Sequence, residues 1–126
     1  MKKVIQTDNA PAPIGPYSQA VKAGNMLFVS GQVPIDPATN VVINSSIADE
    51  TTLVMKNISA VLDEAGYSMS DVVKTSIFLS DMQLFAEVNQ IYGSYFTSDF
   101  PARETVAVKG LPKNVNVEIS VIAYKA

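Results

Sequence analysis

The sequence predicts an α+β fold in which two helices cover one face of a single β-sheet. Two segments with apolar residues at three- and four-residue spacing predict the helices, and β-branched or alternating apolar segments predict strands before and after them. Antiparallel hairpins are expected at both ends of the chain. The 126 residues, 48% of them hydrophobic, are enough for one domain spanning residues 1–126.

Proline and glycine divide the first third of the chain into short strands and loops. Residues 18–23 and 26–30 predict two strands. Gly24-Asn25 joins them and permits a positive φ in a tight turn, so we expect a β-hairpin here.

The first helix is predicted to begin after Ser46 and to end at Gly66. Ser46 followed by Asp49 resembles a capping box with Asp in place of Glu, and glycine is typical of a helix C-terminus. The residues expected on its buried face are Ile47, Thr51, Val54, Ile58, Val61, Leu62 and Ala65.

The second half of the chain predicts a strand, a helix and two further strands. Residues 72–80 are rich in β-branched residues, Asp81 can cap the following helix, and Phe100-Pro101 closes that helix. The final strands, residues 103–109 and 115–124, are separated by turn-forming residues. The apolar face of the second helix is expected to contain Phe85, Val88, Tyr92, Tyr95 and Phe96.

The last predicted strand has two different faces, because side chains alternate with period two. One face consists of Val117, Ile119, Val121 and Ala123, and the other of Glu118, Ser120, Ile122 and Tyr124. No helix remains to cover the second face, which still contains Ile122 and Tyr124. We therefore expect a partner subunit to bury it.

Charge and hydropathy exclude two classes of partner. The net charge of −3 includes no basic stripe that would neutralise phosphates, so nucleic acid is not an expected partner. No apolar run approaches the roughly 20 residues of a membrane span, and no signal-peptide core follows the N-terminal lysines. The expectation is a soluble, cytoplasmic protein without membrane contact.

The reactive side chains are few. Histidine and cysteine are absent, which excludes His bases, Cys nucleophiles and His/Cys metal sites. Arg103 is the single arginine. Its guanidinium could bind a carboxylate or phosphate through two parallel hydrogen bonds, although an ordinary surface salt bridge is the alternative.

Four segments together carry a resemblance to a known family. They are Gly15-Pro16-Tyr17-Ser18-Gln19-Ala20, Val29-Ser30-Gly31-Gln32-Val33-Pro34, Phe100-Pro101-Ala102-Arg103, and Leu111-Pro112 followed by Val117-Glu118-Ile119. In this order and spacing they resemble the RidA family of reactive-intermediate deaminases, also called the YjgF family, over essentially the whole chain.

That resemblance implies a chorismate-mutase-like fold that assembles as a homotrimer, with active sites between neighbouring subunits. It also implies hydrolysis of 2-imino and enamine acids, such as 2-iminobutanoate and 2-iminopropanoate, to 2-keto acids and ammonia. Such imines are already electrophilic, so no metal or other cofactor is expected.

The resemblance implies catalytic roles for three residues. Arg103 matches the arginine that binds the substrate carboxylate. Glu118 matches a glutamate that orients or deprotonates the attacking water, and a solvated or ion-paired strand residue is its alternative. Tyr17 matches a tyrosine whose hydroxyl can hold water or the imine nitrogen, although it could equally be a packed, half-buried aromatic.

Further residues match substrate-binding positions. Ser30 and Gly31 match the pocket wall, although a strand end followed by a turn would look the same. Asn89 matches an asparagine that faces the cavity, where an exposed helical Asn is the alternative. Thr105 occupies a position whose backbone N–H assists the arginine. Glu104 departs from the family pattern of Ser or Thr, and either pairs with the arginine or faces solvent.

Two other function classes remain open. A non-catalytic small-metabolite or chaperone-like binding module could use the same cleft, but carboxylate binding alone does not call for the acid Glu118. A ribonuclease activity has been attached to some relatives, and the acidic charge and lack of histidine argue against it.

Overall fold

The computed structural model describes residues 1–126 and contains two helices and eight strands. The helices are α1 (Ile47–Ala65) and α2 (Phe85–Gly93). The strands are β1 (Lys2–Ile5), β2 (Ala20–Ala23), β3 (Met26–Gln32), β4 (Ile35–Asp36), β5 (Val41–Val42), β6 (Val72–Leu79), β7 (Ala102–Ala107) and β8 (Val117–Tyr124). Six strands form one sheet in the order β1-β2-β3-β8-β6-β7, and β4 pairs with β5 separately. The predicted α+β architecture is confirmed.

The core lies between this sheet and the helices. Val117, Ile119 and Ala123 of β8 are fully buried, as are Val54 and Ile58 of α1. Because β8 lies at the centre of the sheet, its apolar face contributes to the core along its whole length. The alternation predicted for this strand is confirmed.

Local signals fix the ends of α1 where the sequence predicts them. The Ser46 hydroxyl accepts a hydrogen bond from the backbone N–H of Asp49 at 3.0 Å. Gly66 ends the helix in the left-handed region, with φ of 80°. The carboxylate of Asp49 accepts from the Ser45 hydroxyl at 2.7 Å. The predicted hairpin is also present, since β2 and β3 are antiparallel with Gly24 at φ of 60° between them.

The second helix is shorter than predicted. It ends at Gly93, so Tyr95 and Phe96 lie beyond it, although both still pack against the core. Beyond the helix the backbone continues with i→i+3 hydrogen bonds, and the Ser94 hydroxyl donates to the Ile91 carbonyl at 2.6 Å. That side-chain bond competes with continued helix. Asp81 caps a 3₁₀ turn before α2, where it accepts from the Gln83 N–H at 2.8 Å.

The expectation of a hairpin at the C-terminal end is wrong. β7 pairs in parallel with β6 at the edge of the sheet, whereas β8 lies between β3 and β6. The segment containing α2 is a crossover long enough to make β6 and β7 parallel. At the N-terminal end, β1 pairs with β2. The sequence analysis did not predict β1.

The sheet face opposite the helices is uncovered and partly apolar. Val4, Phe28, Val106 and Tyr124 project from four different strands, and each exposes between 43% and 54% of its surface. We call this surface the open face. Neither helix is long and apolar enough to cross a membrane.

A buried carboxylate joins α1 to the start of β8. Glu50 is 1% exposed and accepts hydrogen bonds from the backbone N–H of Asn116 at 2.9 Å and from its Nδ2 at 2.7 Å. The hydroxyl of Ser80, just beyond β6, donates to Oδ1 of Asn116 at 2.6 Å. These bonds hold the end of β6 and the beginning of β8 against the helix.

Replacing Glu50 with Ala should therefore lower the free energy of unfolding by about 2–4 kcal/mol, because two partly buried N–H donors of Asn116 lose their acceptor. Urea denaturation at one protein concentration measures this loss. Glu64→Ala, at an exposed position on the same helix, is the matched control and should change stability by about 0.5 kcal/mol or less. Equal effects of the two substitutions would contradict the proposed anchoring.

Candidate active site

A cavity of about 350 Å³ lies where β3 and β8 meet the proline-rich loop that precedes β2. Four predicted site residues line it: Tyr17, Ser30, Gly31 and Glu118. We call it the Glu118 cavity. Its apolar wall consists of Pro11, Ala12, Ile14, Val33, Ile35 and Pro112.

Glu118 occupies its position because residue 31 has no side chain. A Cβ atom at Gly31 would lie 2.8 Å from Cδ of Glu118 and 3.1 Å from its Cγ, closer than carbon atoms normally approach. The register between β3 and β8 also shifts between Val29 and Gln32, next to this contact.

The carboxyl group of Glu118 is half-buried, and this burial raises its pKa above the ordinary value for glutamate. A carboxyl group with a raised pKa can both accept and return a proton closer to neutral pH. The position of Glu118 therefore suits general acid–base chemistry.

Tyr17 and Ser30 both line the Glu118 cavity. Tyr17 is 50% exposed, and its hydroxyl accepts from the N–H of Ile14 at 3.4 Å, a long hydrogen bond. The hydroxyl of Ser30 donates to the Ser18 carbonyl at 2.6 Å. Tyr17 thus presents an accessible hydroxyl, whereas the hydroxyl of Ser30 is used to hold the loop.

Gln19 is a buried residue of this region whose role the sequence reasoning missed. Its Oε1 accepts from the Thr7 N–H at 2.7 Å, and its Nε2 donates to the carbonyls of Thr7, Ala10 and Pro11 at 3.0, 3.2 and 2.9 Å. The side chain is 2% exposed. Gln19 therefore fixes the loop that forms the apolar wall, and its place inside the Gly15–Ala20 motif was the available signal.

Arg103 lies in a second cavity, of about 450 Å³, together with Asn89, Tyr92 and Phe100. Its Nη1 donates to Oδ1 of Asn89 at 2.6 Å. No carboxylate of the chain lies within 4.0 Å of the guanidinium. The arginine therefore keeps its charge uncompensated within the chain, and we call this region the Arg103 cavity.

Glu104 does not pair with Arg103. It projects from the opposite side of β7, where the Nζ of Lys74 lies 3.0 Å away and the Ser76 hydroxyl donates a short hydrogen bond to it. The hydrogen bond from Ser76 lowers the pKa of Glu104, with a further contribution from Lys74. Glu104 was expected either to pair with Arg103 or to face solvent. It faces solvent beside Lys74 and Ser76, so it does not occupy the guanidinium of Arg103.

Thr105 lies two residues beyond Arg103 and projects from the same face of β7, opposite Ile77 of β6. Its hydroxyl oxygen is buried and has no hydrogen-bond partner. Thr105 is not among the residues that line either cavity.

The sheet separates the two cavities. Arg103 lies opposite Thr75 of β6, on the face that packs against the helices. Glu118 lies opposite Phe78, which is three residues from Thr75 along β6. Because side chains of a strand alternate between its two faces, Glu118 projects from the open face. Within one chain the structure groups Asn89 with Arg103 and groups Tyr17 with Glu118, but it does not bring the two groups together.

Comparison with known proteins gives consistent matches along the chain. Residues 7–125 match the model of the family described as Endoribonuclease L-PSP. The chain is 54% identical over 125 residues to a RutC family protein of Pyrococcus horikoshii, a match that covers 99% of each chain.

Solved structures show the same similarity. RidA from the Antarctic bacterium Psychrobacter is 41% identical with a TM-score of 0.94, over 98% of this chain and 99% of that one. Escherichia coli TdcF, solved with bound serine, is 38% identical with a TM-score of 0.94 over the same shares. The chorismate-mutase-like fold expected from the sequence is confirmed.

The raised pKa of Glu118 predicts a pH-dependent effect on stability. Below the unfolded-state pKa of about 4.3, Glu118 is protonated in both states and burial carries no ionic penalty. As pH rises through the higher folded-state pKa, ionisation in the half-buried site lowers stability. Glu118→Gln cannot ionise, so it should gain stability relative to the parent between about pH 3.5 and about pH 8.

Thermal unfolding of both proteins at the two pH values measures this change. Glu64→Gln, at an exposed position, is the control and should show no such dependence. A Glu118→Gln difference that is the same at both pH values would contradict the assigned burial effect.

Proposed function

The chain belongs to the Endoribonuclease L-PSP family, as the family model and the similarities to a RutC family protein and to RidA indicate, and from this premise we propose that it hydrolyses small 2-imino acids. The expected substrates are 2-iminobutanoate and 2-iminopropanoate, which give 2-keto acids and ammonia. The observation that carries the proposal is the half-buried carboxyl group of Glu118, with its raised pKa, in a cavity that also contains Tyr17.

Arg103 supplies the anchor for the substrate carboxylate. Its guanidinium is exposed and has no carboxylate partner within its chain. A fork of N–H donors matches a carboxylate through two parallel hydrogen bonds. TdcF, a relative that is 38% identical, binds serine, which carries a carboxylate and a nitrogen on adjacent carbons as a 2-imino acid does.

The chemistry needs a base and an acid in sequence. Water attacks C2 of the protonated imine while Glu118 accepts a proton from the water, and a C–O bond forms as the C=N bond becomes single. Glu118 then returns the proton to the nitrogen. As the C–N bond breaks, the hydroxyl group formed from the water gives its proton to Glu118 and the C=O bond of the keto acid forms. The departing ammonia takes up that proton, which restores the Glu118 carboxylate. Tyr17 holds the water or the nitrogen by its hydroxyl. Acid–base help of this kind contributes about a hundred- to ten-thousand-fold in rate.

The active site is proposed to form between copies of the chain, because the sheet keeps Arg103 and Glu118 on opposite faces. The Arg103 cavity of one copy, with Asn89, would meet the Glu118 cavity of its neighbour, with Ser30 and Gly31. Thr105 lines neither cavity, and its proposed contribution is its backbone N–H beside Arg103. The proposed assembly is a homotrimer that buries the open face. The apolar, exposed side chains on that face support an association of this type.

A binding module without turnover is the second candidate, and the serine bound to TdcF favours it. Such a module would need Arg103 but would not need Glu118 as a base. Measuring keto-acid release from imines generated in situ, with and without the protein, separates the two candidates. An RNA-degradation assay on the same preparation tests the activity that the family description names.

Glu118→Gln keeps the size and hydrogen bonding of the side chain but removes the base. We expect kcat for 2-iminobutanoate to fall by about a hundredfold or more, while binding of 2-oxobutanoate stays the same or tightens because an anionic neighbour is gone. Stopped-flow kinetics and calorimetry measure the two quantities. If both fell together, Glu118 would have a structural role instead.

Mixing two inactive variants tests the shared site. Arg103→Ala and Glu118→Gln are each expected to be inactive, but a mixed assembly can pair the intact Arg103 of one copy with the intact Glu118 of its neighbour. Random reassembly of equal amounts should restore about one quarter of the parental activity, since that pairing occurs at about one site in four of a closed ring. Each variant taken alone through the same dissociation and reassembly is the control.

Activity in the mixture no higher than the mean of the two controls, in a preparation shown by mass spectrometry to contain mixed trimers, would place both residues in a single-chain site.

A further inference from the structure

The guanidinium of Arg103 lies between two aromatic rings. Its central carbon is 5.2 Å from the ring centroid of Tyr92 and 5.5 Å from that of Phe85, both on α2. Distances of this size are those of cation–π pairs, in which a cation is attracted to the face of a ring. Both rings therefore lie close to the guanidinium, and because Arg103 is still an exposed residue, part of it stays open to a ligand.

Tyr92 is a firmly held member of this pair. It is 4% exposed, and its hydroxyl shares a hydrogen bond of 2.8 Å with that of Thr75, which is 1% exposed. Thr75 lies directly opposite Arg103 in the β6–β7 pairing, so the ring is fixed to the strand beside the arginine. Burial raises the pKa of Tyr92 above the ordinary value for tyrosine, so the phenol stays a neutral hydrogen-bonding group.

Asn89 holds the guanidinium without neutralising it. An amide oxygen accepts the hydrogen bond from Nη1, where a carboxylate would have formed an ion pair and competed with an anionic ligand. The remaining donors of the fork lie in the guanidinium plane, and this is the direction from which a carboxylate forms two parallel hydrogen bonds.

We propose that Tyr92 and Phe85 are positioning residues that clamp the faces of the Arg103 guanidinium and leave its edge to the substrate carboxylate, with Thr75 fixing the Tyr92 ring. The inference rests on the proposed role of Arg103 as anchor. It assigns the specificity for a planar carboxylate to two aromatic side chains that do not themselves contact the reacting carbon.

The test uses the full chain and 2-oxobutanoate, a stable carboxylate product, in titration calorimetry beside imine-hydrolysis kinetics. Tyr92→Leu and Phe85→Leu should each weaken 2-oxobutanoate binding and raise KM by about tenfold, the size of effect expected from one lost cation–π contact, with kcat within about twofold. Tyr92→Phe keeps the ring and should recover most of the affinity.

Tyr67→Leu is the matched control. Tyr67 is 5% exposed, its hydroxyl donates to the Asn25 carbonyl at 2.9 Å, and Lys22 lies 5.7 Å from its ring centroid, yet it lines neither cavity. Its replacement should lower the melting temperature as Tyr92→Leu does while leaving 2-oxobutanoate affinity unchanged. This control separates a lower stability of the whole fold from a specific loss of the aromatic contacts to Arg103.

The outcomes are distinguishable. Loss of binding in Arg103→Ala without loss in either leucine variant would overturn the clamp and leave the anchor intact. Unchanged binding in Arg103→Ala would overturn the anchor and the clamp with it, whatever the turnover. If Tyr92→Leu does not fold, the less buried Phe85→Leu decides, and unchanged affinity there overturns the proposal. Because product binding is measured directly, a protein without deaminase activity still gives a result.

Discussion

Side chains alternate between the two faces of β8, so this central strand must serve two environments at once. Towards the helices, Val117 and Ile119 are fully buried in the core, whereas Glu118 between them projects into a cavity on the other side. A register slip of one residue would put the carboxyl group into the core and an apolar residue into the cavity. The bonds from Glu50 to Asn116, one residue before β8, oppose that slip.

The cavity walls depend on a small number of buried polar side chains. Gln19 binds the backbone of the loop before β2, and Nδ2 of Asn57 donates to the carbonyls of Val33 and Ile35 at 3.1 and 3.0 Å. These loops contain irregular backbone whose polar groups need partners when buried. A single amide that satisfies two or three such groups fixes a loop where apolar packing alone would allow it to shift.

The parts of this structure that were predictable have local causes. Ser46 and Gly66 mark the ends of α1 because capping acts over a few residues, and the two faces of β8 follow from its period-two pattern. The parallel pairing of β7 with β6 has no such local signature, since it joins segments on either side of α2.

Local sequence signals were likewise insufficient to predict the arrangement of the candidate site. Motifs could select Arg103 and Glu118, and the period-two pattern of β8 predicted the face of Glu118. The face of Arg103 depends on the parallel pairing of β7 with β6, in place of which a hairpin was predicted. Glu50 was not singled out and Tyr92 was expected only on the apolar face of the second helix, because their roles depend on contacts with Asn116 and Arg103 elsewhere in the sequence.

Arg103 and Glu118 lie on opposite faces of the sheet. If the active site forms between subunits, this arrangement has a genetic consequence. A cell that carries one normal and one altered gene would make mixed rings, and an altered subunit would disable a site that its normal neighbour helps to form. Two different defects, one on each side of the sheet, would instead partly compensate each other when expressed together. The inheritance of such alleles would therefore report which face of the sheet each one affects.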